Sequence, residues 1–208
     1  MTKNYHKQIC PIRKKKLQRH ALTQDQRTKY KKPYRNILGV VGYLVTCTRP
    51  DCAYAYKTLA QFNDCYTQEH WEALMELVAY LHNTADSHVL RLTKSGGTLL
   101  NAYCDADLNN TDKCKSTSGW IVFHGHNPIS WCSKTQTSTA RSTAESEFIS
   151  LSSLSQECIY LRMLLQSITG AGVPPVYTNA STDDKKKCDH STSDCQCHAV
   201  DIWCDSQN

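Results

Sequence analysis

Apolar residues along this chain keep two different spacings, and the change between them falls near Asp86. From Tyr34 to His82 they recur every three or four positions. Ile37, Leu38, Val41, Leu44 and Val45 make one stripe; Ala53, Tyr56, Leu59, Ala60 and Phe62 make a second; Trp71, Leu74, Leu77, Val78 and Leu81 make a third. Such spacing lines up side chains on one side of an α-helix, so three helices around a shared core are predicted. Thr48-Arg49-Pro50-Asp51 separates the first two, and a proline with an acid beside it is a helix-start signal.

Beyond Asp86 the period shortens. Residues 89–93 read as a strand, Ser95-Gly96-Gly97 as a turn, and 98–104 as a second strand that ends at Asp105. Residues 119–124 and 129–132 are two more strands, joined by a tight turn over Gly125-His126-Asn127-Pro128. Residues 142–168 return to helical spacing, with Phe148, Leu151, Leu154, Ile159, Leu161, Leu164, Leu165 and Ile168 on a broad apolar face. Gly170 and Gly172 stop this helix, and Pro174-Pro175 confirm the break. A polar stretch over 178–199 follows, then a short strand over 200–204 before Asp205. Strands, a long helix and a further strand predict a mixed α/β fold with the helix crossing one face of the sheet. If 98–104 and 200–204 are both central and parallel, the connection brings them together.

Composition adds charge and thiols to this pattern. The chain has 208 residues, a net charge of +5 and 12 cysteines. Residues 1–33 hold no apolar period and read as a basic flexible arm, with Arg13, Lys14, Lys15 and Lys16 in a run. Such a run is read first as a solvated tail or linker, and alternatively as a phosphate-contacting or nuclear-import segment. No apolar run reaches the roughly 18 residues of a membrane-spanning helix, and the first thirty residues do not have a secretory pattern. Scattered cysteines without such a leader point to a reducing compartment and free thiols. Cys188, Cys195, Cys197 and Cys204 crowd together with His190 and His198, yet C-x6-C-x-C is unlike common zinc motifs. A solvated insertion is therefore expected there rather than a zinc site.

Candidate chemistry lies in acids at element ends. Asp105 ends one strand, Glu145 sits in the first turn of the long helix, and Asp205 ends the last strand. Sites in open α/β sheets form at the carboxyl ends of strands. Three carboxylates gathered there would repel unless a cation lay between them, and Mg²⁺ prefers oxygen ligands. Two such ions serve phosphodiester hydrolysis. The same acids also fit plainer roles: Glu145 at a helix N-terminus, and Asp105 and Asp205 as turn residues.

Several motifs occur in order. Tyr34-Arg35, Gly39, Tyr43-Leu44, Thr48-Arg49-Pro50-Asp51, His70-Trp71 and Tyr80-Leu81 come first. Tyr103-Cys104-Asp105-Ala106-Asp107, Lys115-Ser116-Thr117-Ser118-Gly119-Trp120 and Ile129-Ser130-Trp131-Cys132-Ser133-Lys134-Thr135-Gln136 follow, then Ser142-Thr143-Ala144-Glu145-Ser146-Glu147-Phe148. Together they resemble copia-type LTR retrotransposon Pol polyproteins, in the ribonuclease H region and the segment after the reverse transcriptase. The resemblance implies a helical connection over 34–97. It implies a ribonuclease H-like sheet with a crossing helix over 98–208, C-terminally truncated and carrying an insertion at about 178–199. The implied activity is metal-dependent endonucleolytic hydrolysis of the RNA strand of RNA–DNA hybrids, with Mg²⁺ or Mn²⁺ as cofactor.

By motif position, Asp105 matches the first catalytic and metal-binding carboxylate and Glu145 the second. Asp107 and Glu147 are nearby acids in the same motifs. Two registers compete for the third. One places Asn179 where an Asp is expected; the other, ending Trp203-Cys204-Asp205, needs the insertion and gives Asp205, which is preferred because an apolar strand precedes it directly. Lys113, Lys115, Lys134 and Arg141 flank these acids and are candidates for phosphate contact. Trp120 and Trp131 are read as core. The family's last helix, with its fourth carboxylate, has no counterpart here, so weak or absent activity is expected. The resemblance further implies an RNA–DNA hybrid and the reverse transcriptase of the same polyprotein as partners, no membrane, and an intracellular place in a cytoplasmic virus-like particle or the nucleus. The alternative is a non-catalytic, transposon-derived nucleic-acid-binding chain.

Overall fold

The computed structural model describes residues 11–12, 17–19, 32–94, 100–108, 114–170, 176–178 and 200–204, the last two stretches by backbone alone. The chain divides into two compact units, Met1–Arg91 and Leu92–Asn208. Each has its own core.

The first unit is helical. It contains α1 (Tyr34–Cys47), a 3-10 turn (Pro50–Cys52), α2 (Ala53–Ala60) and α3 (Gln68–Asn83). Tyr34, Leu38, Val41 and Val45 form the buried stripe of α1, and they pack with Leu59, Leu74 and Leu77. Full burial of each such aliphatic side chain contributes about 1.5–3 kcal/mol. The Tyr34 hydroxyl donates to the Leu59 carbonyl at 2.9 Å, so the ring enters the core with its polar end satisfied. Pro50 opens the 3-10 turn, as the sequence predicts. Arg49 is almost fully buried and grips both oxygens of Asp51 at 3.0 and 2.8 Å. It also donates to Thr84 Oγ1 at 2.7 Å, while Tyr80 donates to Asp51 at 3.0 Å. This network joins the turn to the end of α3. His70 closes the start of α3, its Nδ1 accepting the Thr67 backbone N–H at 3.0 Å. Within the stretch read as a flexible arm, Leu17 is buried in this core and Arg19 holds Asp64 at 2.6 and 2.8 Å. Ile12 also packs against the core, but two apolar residues five apart keep neither period, so the pattern of the sequence does not reveal that anchor.

The second unit is a five-stranded mixed sheet with one long helix. Its strands are β1 (Leu100–Asp107), β2 (Thr117–His124), β3 (Asn127–Thr135), β4 (Val176–Thr178) and β5 (Val200–Cys204), and its helix is α4 (Thr143–Thr169). The spatial order is β3-β2-β1-β5-β4. β1–β2 and β2–β3 are antiparallel; β1–β5 and β4–β5 are parallel. The expected neighbours 98–104 and 200–204 do pair in parallel, with Cys104 opposite Cys204. Gly125 takes φ 61° in the hairpin turn, a conformation that only glycine adopts freely.

Leu100, Ala102, Cys104 and Val122 face Leu154, Cys158 and Leu161 of α4, with Trp120, Leu151 and Leu165 packed around them. Phe148, Ile159, Leu164 and Ile168, read as part of the apolar face, are exposed. Gly170 ends the helix at φ 67°, its N–H capping the Gln166 carbonyl. Two further readings shift. β1 continues through Asp105 to Asp107, and residues 89–93 form no strand. Instead the Asn127 carboxamide serves Thr93 as a strand neighbour would, accepting from its N–H at 2.7 Å and donating to its C=O at 2.9 Å. Among the described residues, no helix is long and apolar enough to cross a membrane.

Candidate carboxylate site

Asp105 lies on β1, exposed, one step after the buried Cys104. Strand alternation points it away from the face that α4 covers. Its Oδ1 accepts the N–H of Ala106 at 2.9 Å. That same N–H also reaches Oε1 of Glu147, from α4, at 3.2 Å. Two carboxylates from different elements thus converge on one backbone donor. Two carboxylates that share one donor would gain from a cation between them.

The approach of α4 to this end of β1 follows from small side chains. Ser146 and Ser150 are buried one turn apart, where the next residues on that side are Leu154 and Cys158. Small residues let the helix backbone come near the sheet. Ser150 Oγ then donates to the Asp105 carbonyl at 3.0 Å. The Gln136 side chain, buried just after β3, donates to Ser118 Oγ at 2.9 Å and to the Ser146 carbonyl at 2.8 Å. Ser118 stands opposite Ala106 in the β1–β2 register. The serines and glutamine of the sequence motifs therefore form a polar seam around the point where Asp105 and Glu147 meet. Gly119 faces Asp105 in register, and a side chain added there would meet little but the Cys132 carbonyl at 3.9 Å.

Glu145 has a different place. It is exposed in the first turn of α4, where its Oε2 accepts the Arg141 N–H at 2.7 Å and its own N–H binds Ser142 Oγ at 3.1 Å. This is a capping arrangement at the positive end of the helix. Of the two acids in the motif, Glu147 is the one beside Asp105. The polar signal that finds it is serine at 146 and 150, four apart, flanking the acid. Asp107 is exposed at the end of β1. Asp205 and Asn179 lie outside the described residues, as do Lys113 and the Cys-rich stretch. Lys115 is half-buried, its ammonium donating to the Thr137 carbonyl, whereas Lys134 and Arg141 are exposed. Trp120 packs against the core beneath α4, and Trp131 is half-buried on β3. Cys47, Cys52, Cys65, Cys104, Cys114, Cys132 and Cys158 carry free thiols. Burial pushes the Cys158 thiol up to about 12, helped by Glu157 and Cys104. Such a thiol is inert at neutral pH. Among the described residues, no group of three or more His, Cys, Asp or Glu side chains is placed to hold a metal ion. Asp105 and Glu147 supply an all-oxygen pair, the donor chemistry of hard cations such as Mg²⁺.

A mixed α/β sheet unit with paired carboxylates at its central strand, in a chain with a separate helical unit, is the class that fold and site define. Comparison with known proteins narrows it. The chain is 41% identical over 150 residues to the retrovirus-related Pol polyprotein from transposon RE2 of Arabidopsis thaliana, a match covering 71% of this chain and 10% of that protein. It is 41% identical over 136 residues to the corresponding polyprotein from transposon RE1, covering 65% of this chain and 9% of that one. It is also 34% identical over 139 residues to Secreted RxLR effector protein 161 of Plasmopara viticola, covering 66% of this chain and 97% of that protein. No family model and no solved structure matches. The chain is thus similar to stretches of retrovirus-related Pol polyproteins from transposons, and it spans about a tenth of the length of the transposon relatives named here.

Proposed function

We propose that the sheet unit is a ribonuclease H-like domain that hydrolyses the RNA strand of RNA–DNA hybrids, with Asp105 and Glu147 as its central carboxylates. The observation that carries this reading is their convergence on the Ala106 N–H, at the end of a central strand flanked by parallel β5. Asp205 is included as the third carboxylate. It follows Cys204 as Asp105 follows Cys104, and those two cysteines are paired in register.

Asp105 and Glu147 would hold Mg²⁺ or Mn²⁺. A divalent ion there supplies Lewis acidity and a more acidic bound water. The chain's own residues orient the site. Ser150 fixes the backbone of Asp105, and the serine seam brings α4 close. Glu145 stiffens the start of the helix through its cap. Lys134 and Arg141, exposed in the loops and strand around the acids, would meet phosphates. A hybrid is recognised by backbone, 2′-hydroxyls and shape, so such contacts need no base specificity.

Cleavage of a labelled RNA–DNA hybrid in Mg²⁺ tests the proposal. Asp105→Asn and Glu147→Gln are each expected to lower the rate on the order of 100-fold or more, the loss of several kcal/mol of charge stabilisation. Glu145→Gln is expected to cost less than about tenfold, the size of a weakened helix cap. Cleavage that survives Glu147→Gln would overturn the assignment. Hybrid binding with a steep salt slope and no cleavage would replace it with a non-catalytic binding role.

A further inference from the structure

We propose that Gln136 is a positioning residue for the carboxylate pair: its buried carboxamide ties the first turn of α4 to β2 and thereby sets where Glu147 meets β1. The inference rests on the reading of Asp105 and Glu147 given above. The Ser146 carbonyl can only accept a hydrogen bond, which fixes the amide nitrogen of Gln136 toward it. The same nitrogen donates to Ser118 Oγ, so one NH₂ group spans helix and strand. Gln136 is itself anchored, because its backbone N–H donates to the Ser116 carbonyl at 2.8 Å. Ser118 faces Ala106, the residue whose N–H both carboxylates share.

Packing alone does not explain a glutamine here. The residue is 3% exposed, and among the described residues its Oε1 is buried without a hydrogen-bond partner. A buried orphan acceptor is unfavourable, and methionine or leucine would fill the space without one. What the polar side chain adds over an apolar one is the NH₂ tie between helix and strand. From Leu154 onward, apolar contacts hold α4 to the sheet. Over its first two turns the faces meet through Ser146 and Ser150, which offer little side chain to interlock. Gln136 secures that end, and Glu147 is the residue directly after Ser146.

Gln136→Met in the full chain tests this. Expected are a melting temperature lowered by only a few degrees, since buried Ser118 Oγ loses its donor while the orphan Oε1 is removed, a shifted Ala106 amide resonance and faster exchange of that amide. Mn²⁺ affinity, read by electron paramagnetic resonance, should weaken about tenfold, the loss usual when a group supporting metal ligands is removed. In hybrid cleavage kcat should fall by a similar factor, with KM nearly unchanged. An Ala106 amide and Mn²⁺ affinity identical to those of the parent would overturn the proposal. Should the parent chain neither bind Mn²⁺ nor cleave, the ribonuclease reading fails, and the Ala106 amide alone decides the positioning role. If Gln136→Met does not fold, Ser118→Ala removes the other end of the same tie and is read in the same ways.

Discussion

Glu145 and Glu147 stand two positions apart in one motif, and a helix turns about 200° between them. They cannot serve the same face. Choosing between them requires knowing which side of α4 lies on the sheet, and at this end that side is serine. Hydrophobic patterning registers Phe148 and Leu151 and passes over Ser146 and Ser150, so the motif match falls on Glu145, whereas the acid beside Asp105 is Glu147. Gly42 shows the same blindness to small residues. A Cβ there would lie 2.7–2.8 Å from the Tyr56 ring, so the glycine is what lets α1 approach α2. Gly42→Ala is expected to destabilise the helical unit by about 0–2 kcal/mol, overpacking against the Tyr56 ring less the roughly 1 kcal/mol that alanine gains over glycine inside a helix. Thermal denaturation checks it, and adding Tyr56→Leu should recover part of the loss.

Elements were the more legible level, because a stripe needs only its period. The three helices, the hairpin and the long helix follow from spacing. Residues 89–93 have strand-like alternation but no ladder to join, since Asn127 occupies the hydrogen bonds of Thr93. The buried side of α4 gives a direct test. Leu154→Ala should cost about 2–5 kcal/mol, whereas Phe148→Ser, on an exposed position, should change melting little. The Arg49–Asp51–Tyr80 network gives the helical unit a pH window. Burial works against the charge of Asp51, but hydrogen bonds from Arg49 and Tyr80 outweigh it and hold the carboxyl below its usual range. A carboxyl lowered by folding contributes stability above its unfolded value, near 4, and that contribution fades as pH falls through the folded one. Burial and its bond to Asp51 push the Tyr80 hydroxyl up to about 12. Its contribution is whole below about 10 and is lost as pH rises through the folded value. Asp51→Asn should therefore flatten the acid limb of a plot of melting temperature against pH, and a limb unchanged in the variant would refute the account.

At the level of the molecule, the two cores share no residue. Leu74→Ala, at a fully buried site, is expected to lower the stability of the first unit by about 2–5 kcal/mol and leave amide exchange in β1 and α4 unaltered. The parallel pairing of β1 with β5 has a consequence for the order of events during synthesis. Cys104 meets Cys204 across one hundred positions of chain. The hairpin and α4 are made of nearer neighbours and close first, because contacts distant in sequence form slowly. Until β5 emerges from the ribosome, the strand that carries Asp105 keeps one bare hydrogen-bonding edge. A nascent chain therefore shows the strand of Asp105 half-framed, and the sheet around it is completed only once translation has passed residues 179–199.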